Sequence, residues 1–409
     1  MLFANPARAR REYDAELKLI LNMARGRESR QWLSHWDMLY PERTPLWRLP
    51  RLAAKLGIDQ LFVKDESMRS PLGSFKALGA PVALLRLVQR QFPDAAFEPR
   101  DLLRGHHATR LRDFVVISAT DGNHGRALAA AARSIGCQCT VVLHANVSPE
   151  REAPISALGA RIVRITGNYD ESVKEAARLA RTNAWHVVSD TSYDGYEEIP
   201  RDVMQGYSII ADESLEAASA STGVESPFTH VFLQGGVGGL AAGVASHLWE
   251  RHGAGRPALV VVEPEQADCL LQSARHGRTS ATTGSTDSLM AGLACGEASP
   301  LAWRFLEHAV DHFMTISDAS AAQAMRTFAD GEAGDVPIVS GESGAAGLAA
   351  LVKLASDPVL AGEVGLDGRS RVLLINTEGA TAPLIYSSLT GLSAAQVHDA
   401  QQRWTTLNG

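Results

Sequence analysis

Short runs of apolar residues alternate along this chain with longer stretches in which apolar positions recur every three or four residues. The short runs predict strands over Leu61–Lys64, Phe114–Ser118, Thr140–Leu143, Arg161–Ile165, His186–Ser189, His230–Gln234, Leu259–Glu263 and Val372–Asn376. The longer, Ala-rich stretches predict helices over Gly79–Gln91, Gly125–Ile135, Tyr169–Thr182, Met204–Ala220 and Gly239–Arg251. This alternation predicts an α/β fold, with mostly parallel, twisted sheets covered by helices on both faces. Runs such as VVIS at Val115–Ser118 are apolar at nearly every position, as strands buried on both faces must be. Arg275–Thr286 and Phe328–Pro337 read as loops, and residues 1–40 as helices packed on the body. No fixed-period repeat and no low-complexity linker interrupts the pattern.

Composition adds bounds. The chain has 409 residues, 45% of them apolar and 21% charged, enough for one large or two medium domains with a buried core. A net charge of −7 argues against a nucleic-acid partner. The basic run Arg8–Arg11 is followed at once by Glu12, Asp14 and Glu16, and reads as a charged helix face. The first residues lack the apolar core of a leader, and no apolar run reaches the length of a membrane span, so a cytoplasmic protein is expected. Cys137 and Cys139 are spaced C-x-C without a nearby histidine pair, so no metal is expected. Cys269 and Cys295 fall in loop-like stretches, where a bond between them stays open; buried reduced thiols are the plainer expectation for all four cysteines.

Five stretches carry chemistry. GSFKALGA (Gly73–Ala80) sets Lys76 among apolar neighbours where a helix pattern begins. A lysine so desolvated is expected to be a neutral, nucleophilic amine. SATDGNHGR (Ser118–Arg126) runs from a strand through a polar loop into a helix. Its residues Thr120, Asp121, Gly122, Asn123 and His124 would bring backbone N–H groups to a helix N-terminus, a site for a carboxylate or phosphate; Asp121 or Asn123 as a plain helix cap is the alternative. FLQGGVGGLAAG (Phe232–Gly243) places Gly235, Gly236, Val237, Gly238 and Gly239 between a strand and a helix, a backbone cup for a phosphate group. VSGESGAAGLAAL (Val339–Leu351) is a further glycine-bearing helix start. LLINTEGAT (Leu373–Thr381) ends a strand on Thr377 and Glu378, at the end where open α/β sheets place ligands.

Two readings compete for the glycine loop. Gly236, Gly238 and Ala241 fit the dinucleotide pattern G-x-G-x-x-A, and Glu263 closes the next strand where a ribose-binding acid would sit. A nicotinamide oxidoreductase would leave Lys76 and the second anion loop without a task. Pyridoxal phosphate needs an amine, a phosphate cup, a partner for its ring nitrogen and a site for the substrate carboxylate. The chain offers one stretch for each: Lys76, Gly235–Gly239, Thr377 or Glu378, and Thr120–His124.

The motifs TDGNHGR, DTSYDGYEEIP with MQGY, MAGLACGE, SGESGA and TEGAT resemble those of fold-type II pyridoxal phosphate enzymes, the group of tryptophan synthase β and the serine and threonine dehydratases. Within that group the chain looks most like the diaminopropionate ammonia-lyases, from about Thr44 to Thr381. A typical dehydratase has a serine at the position of Asp121 and lacks the MAGLACGE segment. The resemblance implies that Lys76 bonds to the cofactor's aldehyde, that Asn123 contacts its ring oxygen and that Gly235–Gly239 holds its phosphate. Asp121 and Asp190 match two acidic positions characteristic of the family. Ser74 stands where a small or amide residue such as alanine is familiar, and Tyr193 and Asp194 where tryptophan and glutamate are.

The resemblance further implies two α/β domains with the site in the cleft between them. Residues 76–190 would form a smaller inserted domain; residues 1–75 and 191–409 would form the larger. It also implies a homodimer and a small amino-acid substrate, eliminated across Cα and Cβ to pyruvate and ammonia. Lys76 would remove the Cα proton. Asp121 would serve as base on the opposite face or pair with the β-ammonium, with Asp190 as a second partner for that ammonium. Ser74, Thr120, Asp121, Gly122, His124 and Asp190 would form the substrate pocket. A dehydratase acting on serine, threonine or hydroxyaspartate is the alternative within the same cofactor class.

Overall fold

The computed structural model describes residues 1–120 and 122–408, with side chains except that of Ala333. Asp121 lies outside the described residues. Eleven strands run β1 Leu2–Ala4, β2 Leu46–Arg48, β3 Gln60–Asp65, β4 Val115–Thr120, β5 Gln138–Leu143, β6 Arg161–Arg164, β7 His186–Val187, β8 His230–Gln234, β9 Ala258–Pro264, β10 His312–Ile316 and β11 Arg371–Asn376. They form a seven-stranded sheet in the order β1-β10-β9-β8-β11-β3-β2 and a four-stranded sheet in the order β6-β5-β4-β7. All strands of the smaller sheet are parallel. In the larger sheet only the edges β1 and β2 run antiparallel. The fold is therefore α/β with mostly parallel sheets.

The apolar strand runs follow from burial on both faces. Phe62, Val231, Leu233, Leu259, Val261, Leu373 and Ile375 pack into one apolar cluster. Their strand neighbours Val63, Phe232, Val260, Val262, Val372 and Leu374 pack into another on the opposite face. Burying each such side chain contributes roughly 1.5–3 kcal/mol.

Several expectations need correction. The N-terminus begins as strand β1, and helices follow only at Ala15–Ile20 and Met23–Leu33. Arg8–Arg11 is not helical; Arg10 reaches across the chain to the Asp311 carboxylate at 2.9 Å. β1 and β2 have three residues each, too short to show a period of two. The helix predicted from Met204 starts at Glu198, because Pro200 lies in a first turn whose N–H groups need no helical partner. Cys269 opens the helix Cys269–His276, so the loop there begins only at Gly277, whose φ is +63°. Phe328 is likewise helical, inside Asp318–Asp330. All four cysteines are free thiols.

Candidate active site

Lys76 sits in the turn Phe75–Leu78, which is stitched to the end of β11: Phe75 N–H donates to the Thr377 carbonyl at 3.0 Å, and Ser74 pairs with Glu378. Behind the turn, the helix Glu198–Thr222 comes close enough to require glycine; a β-carbon on Gly206 would lie 2.0 Å from the Leu78 carbonyl oxygen. The Tyr207 ring meets Phe75 edge-on at 4.7 Å, and the Lys76 Nζ lies 5.2 Å from the Phe75 ring centroid.

The apolar surround is only part of the lysine's environment. Its amine forms an ion pair with Asp190, whose side chain is 9% exposed. An adjacent carboxylate favours the ammonium form, against the pull of the apolar surround toward the neutral amine. Burial works to raise the Asp190 pKa, but the Lys76 ammonium and His124 pull it well below the usual carboxylate range. His124 stands behind Asp190 with Nδ1 3.9 Å from the carboxylate and Nε2 2.9 Å from the Val188 carbonyl. Burial lowers its pKa, against the pull of Asp190.

Lys76 opens into a cavity between the ends of β4, β8 and β11. Of the residues singled out from sequence, Thr120, Asn123, Asp190, Gly235, Val237, Gly239, Thr377 and Glu378 join Lys76 in its wall. Gly236 and Gly238 shape the loop behind that wall, with φ of +63° and +99°. A β-carbon on Gly238 would come within 2.9 Å of Leu306. Ser74, Gly122 and His124 stand behind the wall too. The side chain of Asn123 donates to Glu378, which is buried and also accepts from the Ser343 N–H at 3.2 Å.

Sequence reasoning did not single out Tyr169, Tyr207, Gln234 or Leu240, nor Gly292, Leu293, Cys295 and Ser343, which complete the wall. The last four lie in the MAGLACGE and SGESGA motifs, so their signal was present without an assigned task. The rival use of Glu263 fails on geometry. It is fully buried, and its two oxygens accept the Leu270 and Leu271 N–H groups at 2.8 Å each, capping the helix Cys269–His276.

The donor set fits pyridoxal phosphate. A primary amine, the N-terminus of the 14-residue helix Gly239–His252, and a buried polar wall meet in one cavity. The Gln234 Oε1 is buried at that wall with no hydrogen-bond partner among the described residues. Among the described residues no group of side chains could hold a metal ion, and no helix is long and apolar enough to cross a membrane.

Comparison with known proteins shows the family. The profile of the family described as pyridoxal-phosphate dependent enzyme matches residues 38–378. The chain is 38% identical to the diaminopropionate ammonia-lyase of Salmonella typhimurium over 356 residues, covering 85% of this chain and 87% of the relative. It superimposes with a TM-score of 0.86 and 32% identity on the crystal structure of the Escherichia coli diaminopropionate ammonia-lyase in complex with an aminoacrylate-PLP azomethine reaction intermediate. That match covers 95% of this chain and 96% of that one. The same enzyme in complex with D-serine matches with a TM-score of 0.87 and 32% identity, at the same coverage of both chains.

Proposed function

The chain belongs to the pyridoxal-phosphate dependent enzymes and, within them, to the diaminopropionate ammonia-lyases, and on that footing we propose that it converts 2,3-diaminopropionate and water to pyruvate and two molecules of ammonia. The observation that carries this reading is the half-buried Lys76–Asp190 pair on the wall of a cavity bordered by a glycine-rich helix N-terminus.

Lys76 would hold the cofactor's aldehyde, the Gly235–Gly239 loop its phosphate, and Asn123 its ring oxygen, with Thr377 and Glu378 as candidates for the ring nitrogen. When bound, pyridoxal phosphate supplies an electron sink for the pair released at Cα. Lys76 would then take the Cα proton. Asp190 favours the ammonium that results, and so keeps the proton on Lys76 until it is passed on. Backbone donors of the Thr120–His124 loop suit the substrate carboxylate. Asp121 is proposed as the base on the opposite Cα face or as the partner of the β-ammonium. The β-amine departs as ammonia, and hydrolysis of the remaining enamine gives pyruvate and the second ammonia.

The two sheets support a division into a smaller domain, 76–190, inserted in a larger one, 1–75 with 191–409. A homodimer is proposed by family analogy. Four free thiols favour a reducing, cytoplasmic compartment. The test is pyruvate release from the purified yellow protein given D- and L-diaminopropionate separately, with serine and threonine alongside. Release from the diamino acids in clear preference is expected; release only from the hydroxy amino acids would move the activity to a dehydratase.

A further inference from the structure

Two consecutive residues at the start of the helix Pro149–Ala157, in the segment that carries the four-stranded sheet, reach over to the helix Pro383–Thr390 beyond β11 and to the loop before the helix Ala346–Ala355. Glu150 accepts the Leu384 N–H at 2.8 Å. Arg151 pairs with Glu342 at 3.5 Å, with side chains 8% and 3% exposed. A buried ion pair is a poor source of stability, since desolvation offsets most of its attraction. Its position is more informative.

The stem of Arg151 lies against Gly122: a β-carbon there would meet the Arg151 Cβ, Cδ and Cγ at 3.7, 3.8 and 3.9 Å, and the φ of +148° suits glycine. One residue on, Asn123 is held by Glu378, and Glu378 is held in turn by the Ser343 N–H at 3.2 Å. The anchors of Gly122 and Asn123 therefore converge on adjacent residues, Glu342 and Ser343. Gly122 N–H and Gly125 N–H both donate to the Thr120 hydroxyl, at 2.9 and 3.2 Å, so a shift of Gly122 disturbs the whole helix start.

We propose that Arg151 and Glu342 are positioning residues: their pair seats Gly122 and Asn123 against the turn that precedes the helix Ala346–Ala355 and so sets the backbone donors at the start of the helix Asn123–Ile135 for the substrate carboxylate. The role assigned to those donors rests on the ammonia-lyase reading; the clamp itself can be tested without it. Glu342 is crowded by the Glu378 carboxylate as well as paired with Arg151.

The test uses cofactor-loaded wild type, R151M, E342Q and the double variant. Hydrogen exchange is followed at Gly122, Gly125 and Arg126, with the amides of β9 as a control on the fold. Each single variant is expected to speed exchange at the loop by about tenfold while β9 is unchanged. KM for diaminopropionate should rise by about tenfold with kcat within about threefold, and the double variant should match the singles. R151K, which keeps a cation on the stem, should recover part of the loss. Unchanged loop exchange, additive effects, or a loss in kcat at constant KM would each overturn the proposal. E342Q is close to isosteric and decides the matter if R151M fails to fold. If the wild type releases no pyruvate from diaminopropionate, the ammonia-lyase reading fails, while the exchange data still judge the clamp.

Discussion

The Lys76 ammonium and the Asp190 carboxylate are paired inside the cavity, with side chains 15% and 9% exposed. Removing one partner of such a pair leaves the other uncompensated. In D190N the lysine keeps its position between Phe75 and Tyr207 but loses the charge that favours its protonated form. Cofactor binding, read by visible absorbance, should survive. The kcat for diaminopropionate should fall by about 10²–10⁴, the range typical of a lost proton-transfer partner. Full activity in D190N would remove Asp190 from the proton path.

This pairing also marks where sequence stopped short. Lys76, the 120–124 loop and the Gly235–Gly239 loop were legible because each combines a strand end, a helix start and a residue type with few other uses. What Lys76 touches was not, since Asp190 lies 114 positions away and only the fold brings it near. The same holds for Tyr169 and Gln234, which carry no local signature. Glu263 was ambiguous for the opposite reason. A carboxylate at a strand end fits a ribose site and a helix cap equally well, and only the Leu270 and Leu271 N–H groups distinguish them. β10, a five-residue strand that sequence reading passed over, sits between β9 and β1, with Phe313 on one face of the core and Met314 and Ile316 on the other.

Gly206 lies against the Leu78 carbonyl too closely for any side chain, and Gly79 is equally constrained by Tyr207, whose ring carbon would stand 2.5 Å from an added β-carbon. In G206A either the helix Glu198–Thr222 or the turn bearing Lys76 must move. Both carry buried apolar surface, so the variant should lose roughly 3 kcal/mol of stability. The turn is the shorter element and the more easily displaced, so cofactor affinity should fall alongside stability. Denaturant unfolding and cofactor titration check the two effects. An unchanged affinity would mean that the helix, not the turn, gives way.

Glu342 gives the protein a dependence on pH that its amide variant should lack. Burial, and then the nearby Glu378 carboxylate, push its pKa up to about 7 from 4.5, against the pull of Arg151; Glu150 adds to the rise. A carboxyl whose folded pKa lies above its unfolded one binds more protons in the folded state between those values. Its contribution to stability is complete below the unfolded pKa and is lost as pH rises through the folded one. Wild type should therefore lose stability from this group between about pH 4.5 and pH 7. E342Q, which never ionises, should not. The stability of E342Q relative to wild type is expected to increase by about 2 kcal/mol across that window, allowing for partial solvation of the site. Paired denaturant melts at pH 5 and pH 7 measure it. A difference that stays constant with pH would show that Arg151 outweighs burial and that Glu342 is ionised throughout, which would make the clamp onto the 120–123 loop equally tight at both values.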